Sequence, residues 1–454
     1  MMFPKIIRKF AFCNKQNQKR EMEISELYKI FLQHPQVTTD SRNCPDGSIF
    51  FALKGDSFNG NAYAKAALGK GCAFAIIDEE EFAEPDNERI ILTDDCLKTL
   101  QLLANYHRRT LGTKIIGITG TNGKTTTKEL ISAVLQKTHN VLFTEGNFNN
   151  HIGVPKTLLR LTKDNDIAVV EMGANHPGEI ETLVNIAEPD YGLITNVGKA
   201  HLLGFGSFEG VIKTKGELYD FLRNKKDSIV FINHFNEHLQ KISDGLKLIE
   251  YGAQTDESLT VNGEVISCAP FLKFKWRHGN GVWQEVQTHL IGSYNIDNMM
   301  AAACIGLYFG VSPEQIDDAL CNYIPSNNRS QLEVTAHNKL IIDAYNANPT
   351  SMMAALKNFR DMEVSRKMAI LGDMRELGDV SADEHQKITD FLKETGITNV
   401  WLVGEEFGKT DCDFRKFANV EEVKEAIREK MPEDYYILIK GSNGIKLFQL
   451  TELL

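Results

Sequence analysis

The stretch KIIGITGTNGKTTTK, Lys114–Lys128, has the pattern of a strand, a tight turn and the start of a helix. KIIGI has the run of apolar and β-branched residues expected of a short buried strand. A glycine-rich turn follows, and Gly123-Lys124-Thr125 opens a helix. Such a turn aims backbone N–H groups at one point, and the positive end of the helix dipole lies behind it. The sequence therefore predicts a nucleotide-phosphate loop formed by Gly120, Thr121, Asn122, Gly123, Lys124, Thr125 and Thr126. Lys124 is placed to neutralise the β- and γ-phosphates, and the Thr125 hydroxyl to bind Mg²⁺. Ile118 stands where the common pattern has its first glycine, and glycines recur instead at 117, 120 and 123. The loop alone indicates ATP or GTP.

Outward from this loop, the runs Lys114–Thr119, Ile167–Glu171 and Gly192–Asn196 read as buried strands, each followed by a loop and a helical stretch. That alternation predicts a mainly parallel sheet with helices on both faces. Short strands Ser48–Leu53 and Ala73–Asp78 predict a small α/β domain upstream. Between Ile229 and Ile291 the pattern turns β-rich, with hairpin turns expected at Asn262-Gly263 and His278-Gly279. Beyond Pro325, strands at Lys339–Asp343, Met368–Leu371, Asn399–Val403 and Tyr436–Lys440 predict a third, Rossmann-like region. Met299–Val311 reads as a buried helix. The expected fold is α/β in three domains: 22–110, 111–325 and 326–454. Residues 1–21 are basic and read as a disordered tail, or as residues upstream of a true start at Met22.

Bulk properties exclude several classes. The 454 residues carry a net charge of −11, which argues against nucleic acid or an anionic membrane surface as partner. The eight cysteines are scattered without a C-x-x-C pair, which favours reduced thiols in a cytoplasm over disulfides or a zinc site. No apolar run reaches the ~18 residues of a membrane span.

Ligands of open parallel sheets gather at the carboxyl ends of the strands. At those ends stand the phosphate loop, then Glu171, a hard oxygen donor suited to Mg²⁺, then Asn196 leading to His201. The phosphate-loop Thr125, an acid and a histidine at successive strand ends predict a metal site. Lys215 joins them from a helix read over Ser207–Arg223. Val211, Lys215, Leu218 and Leu222 share its apolar face, while Lys213, Glu217 and Asp220 lie opposite. A desolvated lysine has a lowered pKa, and neutral amine reacts with CO₂ to give a carbamate, a carboxylate-like metal ligand. The competing reading is a lysine snorkelling to the surface.

With GITGTNGKTTTKEL, TEGNFNNHIGVP, EMGANHPGEI, ITNVGKAHLLGFGS and KTKGELY in order, the chain resembles the Mur ligases, ATP-dependent amide-forming enzymes of peptidoglycan precursor synthesis. Within that family, DSR at 40–42, GNFNNHIGVP at 146–155, DAYNANPTSM at 343–352 and GDMRELG at 372–378 are most similar to the members that add D-alanyl-D-alanine to UDP-N-acetylmuramoyl-tripeptide (UDP-MurNAc-tripeptide). The resemblance implies three domains that bind the UDP-sugar, ATP and the incoming amine. It implies catalytic roles for Lys124, Glu171, His201, Lys215 and Arg329, with Thr125, Glu171, His201 and carbamylated Lys215 serving two Mg²⁺ ions. Asn295 matches an adenine-contacting asparagine, and Arg329 and Asp343 match residues reaching back to the nucleotide. Ser41 and Arg42 match a uridine-diphosphate loop, and Asn149, Asn150, Asn346 and Asn348 fall in substrate-binding strings. The expected partners are UDP-MurNAc-tripeptide and D-Ala-D-Ala, with no nucleic acid, no integral membrane contact and a monomeric chain in the cytoplasm. FNGNAYA at 58–64 departs from the family's D-G-H-x-F form, which leaves the nucleobase contacts open. The alternatives are a sister ligase adding one amino acid, to the peptide or to folate, and an ATP-hydrolysing regulatory protein.

Overall fold

Two compact units make up the computed structural model, which describes residues 9–12, 20–325 and 329–454. The first comprises Met1–Gly117, Asn140–Met172 and Thr182–Pro189, and the second Ile118–His139, Gly173–Glu181 and Asp190–Leu454. Of the stretch read as a disordered tail, Lys9–Phe12 pairs antiparallel with Arg20–Glu23. The rest of that expectation, on residues 1–8 and 13–19, lies outside the described residues. No helix among the described residues is long and apolar enough to cross a membrane.

In the first unit, strands Val37–Thr38, Ile49–Phe51, Phe74–Ile77 and Ile90–Leu92 form a parallel sheet in that order. Ile49, Phe51, Ile76 and Ile77 are fully buried, as strands covered on both faces require. Val141–Phe143 pairs parallel with Ile167–Glu171, whose five residues are all buried.

The second unit carries two sheets. In the first, the end of strand Lys114–Thr119 lies beside Tyr191–Ile194, Thr195 N donating to Thr119 O at 3.0 Å. Parallel strands Ile229–Asn233 and Leu248–Gly252 follow. The β-rich insertion then adds Val261–Cys268, Phe271–His278 and Gln284–Ile291 as an antiparallel meander. The turn expected at Asn262-Gly263 is not there. Both residues sit inside a strand, facing Arg277 and Trp276, and neither has the positive φ that a type I′ turn needs. The chain reverses instead at Ala269-Pro270, whereas the turn at His278-Gly279 is present with Gly279 at φ +49.

The second sheet has the order Gln331–Val334, Lys339–Asp343, Tyr436–Lys440, Lys367–Gly372, Asn399–Val403, Arg415–Phe417. It is parallel except at its first pair. One apolar cluster around Met352, Leu356, Phe359, Leu371 and Leu402 and another around Ile342, Ile370, Val423, Ile427 and Ile439 cover its two faces. Alternate residues of each strand feed the two clusters, so both helix layers are fixed by a period of two.

Candidate active site

Lys124–Leu135 forms the helix behind the phosphate loop, and two glycines set the loop's path. Gly120 has φ +145, and a Cβ there would stand 2.0 Å from Thr195 Oγ1. Gly123 has φ +78 at the helix N-cap, where a Cβ would meet Asn298 Oδ1 at 2.8 Å. Only glycine satisfies both the dihedral and the space. The strand Tyr191–Ile194 stops two residues short of the expected end, because Thr195 and Asn196 turn to hold the loop. Thr195 Oγ1 donates to Asn122 O at 2.7 Å, and Thr121 N to Asn196 O at 2.9 Å. Asn122 N donates to Asn196 Oδ1 at 3.0 Å, and Asn196 Nδ2 returns a bond to Asn122 O at 3.0 Å. Lys124 Nζ lies over Gly120 O at 2.8 Å and Thr121 O at 3.0 Å. The loop is thus preformed, with an ammonium folded onto it. Thr125 and Thr126 are buried at the helix start.

Residues of the distal sheet close on this loop within the same unit. Asn348 Nδ2 donates to Asn122 Oδ1 at 2.8 Å, and Asn348 caps the helix Pro349–Asp361. Lys199 N donates to Thr350 Oγ1 at 3.3 Å, and Lys199 Nζ pairs with Glu384 at 3.1 Å. His201 Nδ1 pairs with Glu376. Asn295, fully within the core, donates to Ile291 O at 2.8 Å and accepts from Asn298 Nδ2 at 2.8 Å. Asn298 in turn accepts from Thr127 Oγ1 at 2.9 Å, linking Asn295 to the phosphate-loop helix.

Arg329 stacks over Tyr345, 4.0 Å from the ring centroid. Its Nε is buried and has no hydrogen-bond partner among the described residues, and the same holds for Thr119 Oγ1 at the start of the loop. A buried donor without a partner costs about 1–3 kcal/mol, so these two atoms suit a site completed by an anionic, hydrogen-bonding ligand such as a nucleotide. Asp343 is held by Lys440 Nζ at 2.5 Å across neighbouring parallel strands. Lys440 is 1% exposed and was not singled out by the sequence, although it ends a correctly expected strand, as a search of carboxyl ends could have found. Lys440→Met is expected to destabilise the fold by roughly 3 kcal/mol, because it strands a largely buried carboxylate. Chemical denaturation would measure this.

Lys215 lies on the helix Phe208–Arg223, on the inner face as expected, while Lys213 is exposed. Its residue is 2% exposed, and Nζ donates to Ala174 O at 3.2 Å above the Phe205 ring. Burial, aided by the charge of Lys124, pulls its pKa down to about 7. Glu217, on the other face, accepts from Gly178 N and Glu181 N, both at 2.8 Å. Between pH 7 and the ordinary lysine pKa the unfolded chain binds the proton that the folded chain has lost, so stability rises with pH there. Lys215→Met removes that dependence. In CO₂-free buffer it is expected to raise the unfolding midpoint at pH 6–7, with the gain vanishing toward pH 10. Thermal melts across pH would show it.

His201 adopts φ +50 at the N-cap of Leu202–Phe205. Burial, with Lys124 and Lys215 nearby, pushes its pKa below the ordinary histidine range, against the opposing pull of Glu376. It is therefore a neutral imidazole near pH 7, the form that ligates metal. In the first unit, Glu171 is a buried carboxylate accepting from Asn149 Nδ2 at 2.8 Å. Asn150 Oδ1 accepts from Gly153 N at 2.8 Å, at the start of the helix Gly153–Leu158. Arg42 is highly exposed and grips Asp40 with two 2.9 Å bonds, and Ser41 O accepts from Lys70 at 2.7 Å. Asn59 and Asn61, the departures from the family string, organise Asp78 and Glu79 through bonds of 2.6–2.9 Å. Asn346 Oδ1 turns to its neighbour Ala347 N at 2.8 Å. No group of three His, Cys, Asp or Glu side chains gathers among the described residues. Of the expected metal ligands, Glu171 lies in the first unit and Thr125, His201 and Lys215 in the second. The Thr125 hydroxyl and the Glu171 carboxylate are oxygen donors of the kind Mg²⁺ takes, and a carbamate on Lys215 would be another.

The Mur ligase middle domain matches residues 118–306, and the Mur ligase glutamate ligase domain matches residues 328–443. A UDP-N-acetylmuramoyl-tripeptide–D-alanyl-D-alanine ligase of Bacillus subtilis (strain 168) is 34% identical over 449 residues, covering 94% of this chain and 96% of that protein. The chain belongs to the Mur ligase family. The Escherichia coli (strain K12) ligase of the same name is 33% identical, over 92% of this chain and 93% of its own. Among solved Mur ligases, a MurF from Acinetobacter baumannii superposes with a TM-score of 0.82 at 29% identity, covering 96% of this chain and 94% of that one. The α/β fold with parallel-sheet domains is therefore the three-domain fold of the Mur ligases.

Proposed function

We propose that this chain is the ATP-dependent ligase that joins D-alanyl-D-alanine to UDP-MurNAc-tripeptide in peptidoglycan precursor synthesis. The observation that carries this reading is the match along 94% of the chain to a Bacillus subtilis enzyme of that name. The preformed phosphate loop, and an Arg329 Nε that is buried without a hydrogen-bond partner among the described residues, support it independently. Residues 22–110 take the UDP-sugar, with Ser41 and Arg42 at its diphosphate. Residues 111–325 take ATP, and residues 326–454 take the incoming amine. Asn149, Asn150, Asn346 and Asn348 bind the peptide substrates. The first tripeptide-side step is attack of the terminal carboxylate on the γ-phosphorus of ATP, giving an acyl phosphate and ADP. The amine of the dipeptide then attacks the acyl carbon, and inorganic phosphate leaves.

Two anions must meet in the first step, so the chain's contribution is positioning and charge neutralisation. Lys124 swings from the loop carbonyls to the phosphates. Arg329 and Asp343 reach back to the nucleotide, and Asn295 meets its base. Thr125, Glu171, His201 and a carbamate on Lys215 would hold Mg²⁺, which supplies charge neutralisation between the phosphates and the attacking carboxylate. A lysine pulled down to about 7 has the neutral amine that carbamate formation needs. An ammonium in its place would repel the ions. Contacts such as Asn348–Asn122 support a closed arrangement in which water is kept from the acyl phosphate. The enzyme acts as a monomer in the cytoplasm, where its nucleotide substrates are.

Phosphate release from ATP, measured with and without UDP-MurNAc-tripeptide plus D-Ala-D-Ala, tests this reading. Release should require both acceptors. Rapid ADP formation without them would favour an ATP-hydrolysing regulatory protein, and turnover with a single amino acid in place of the dipeptide would favour a sister ligase.

A further inference from the structure

The string GDMRELG contributes one side chain whose contact the ligation scheme leaves unused. We propose that Glu376 is a positioning residue for His201: its carboxylate accepts from Nδ1–H, fixes that tautomer and leaves Nε2 as the imidazole's lone-pair donor. This rests on the ligase reading above.

The contact has two strands. Besides the side-chain pair, Leu203 N donates to Glu376 O at 3.3 Å. An ionised carboxylate can only accept, so the proton of this bond must sit on Nδ1. Both partners are non-glycine residues in the left-handed region, His201 at φ +50 and Glu376 at φ +65. Each such residue costs about 1–2 kcal/mol, a cost that persists where surrounding contacts dictate the geometry. The other groups facing the imidazole are the Phe205 ring, edge-on at 6.3 Å, and the charges of Lys124 and Lys215. Of all these groups, the Glu376 carboxylate is the one hydrogen-bonded to Nδ1, and so it selects the tautomer.

Stability does not explain the pair. The Glu376 side chain is 55% exposed, and a hydrogen bond to a carboxylate that water also reaches contributes little to stability. Docking of the distal sheet onto the phosphate loop is held separately by Asn348–Asn122 and Lys199–Glu384. What Glu376 adds is a carboxylate behind a ligand histidine, the arrangement that fixes ring orientation and raises ligand basicity at metal sites. Because Glu376 comes from the distal sheet and His201 from the nucleotide sheet, the histidine is set for metal only when the two are docked.

Full-length Glu376→Ala and Glu376→Gln should be compared with the parent chain by Mn²⁺ titration with ADP present, followed by electron paramagnetic resonance. Nitrogen-15 spectra would report the His201 tautomer. Glu376→Ala is expected to weaken Mn²⁺ binding roughly tenfold or more and to lower kcat similarly, with KM for ATP and Tm unchanged. It should also lose the single Nδ1–H tautomer. Glu376→Gln keeps an acceptor oxygen and should recover most of the affinity and the tautomer. Parent-like Mn²⁺ affinity or an unchanged tautomer in Glu376→Ala overturns the proposal, as does a fall in Tm of several degrees, which would mark a structural role. If the parent chain itself fails to couple ATP cleavage to its acceptors, the ligase reading falls, while the Mn²⁺ titration still decides the role of Glu376.

Discussion

Lys215→Ala is expected to lower ligation by roughly a thousandfold or more, the scale of several kcal/mol of transition-state charge stabilisation. The fold should survive, because the helix keeps Val211, Leu218 and Leu222 in the core. Lys213→Ala, on the exposed face two residues away, should leave the rate unchanged. If the acting species is the carbamate, acetate or formate should restore part of the activity of Lys215→Ala by placing a carboxylate in the space vacated. Activity of the parent chain should also fall when CO₂ is stripped, and more steeply below pH 7, where Lys215 takes up its proton. Steady-state rates of the two variants, with and without formate, check all three statements. An active Lys215→Ala paired with an inactive Lys213→Ala would invert the assignment.

Arg329→Ala carries the next largest effect, a loss of roughly a hundred- to a thousandfold in kcat/KM for ATP, as expected when one preorganised donor to developing charge is removed. Its stability should change by less than about 1 kcal/mol. The variant gives up a cation–π contact with Tyr345 but also relieves a buried Nε that has no partner among the described residues. Arg329→Lys should not rescue, since an ammonium cannot reproduce the planar fork. Steady-state kinetics with varied ATP, together with urea denaturation, separate the two quantities. A large fall in stability with kcat/KM intact would assign Arg329 to the fold.

Features set by local spacing were legible in the sequence. The strand Lys114–Thr119, the helix start at Lys124 and the burial of Lys215 against the exposure of Lys213 follow from periods of two and 3.6 and from glycine chemistry. The strand ends at Asp343 and Lys440 were equally visible, yet nothing local says that these two side chains pair, since parallel register joins residues 97 apart. The same holds for Glu376 and His201, 175 residues apart. Asn262-Gly263 misled because the dipeptide is a turn signal only where both residues take positive φ. Pairing with Arg277 and Trp276 holds it extended. Tyr191–Ile194 ended early because Thr195 and Asn196 are drawn into the phosphate loop by hydrogen bonds that no propensity encodes.

An acyl-phosphate intermediate leaves an isotopic signature in the released phosphate. UDP-MurNAc-tripeptide carrying ¹⁸O in its terminal carboxylate is turned over with ATP and D-Ala-D-Ala, and the released phosphate is analysed by mass spectrometry. Attack of that carboxylate on the γ-phosphorus transfers one of its oxygens, so the phosphate should carry a single ¹⁸O per turnover. Product amide formed with unlabelled phosphate would contradict the route.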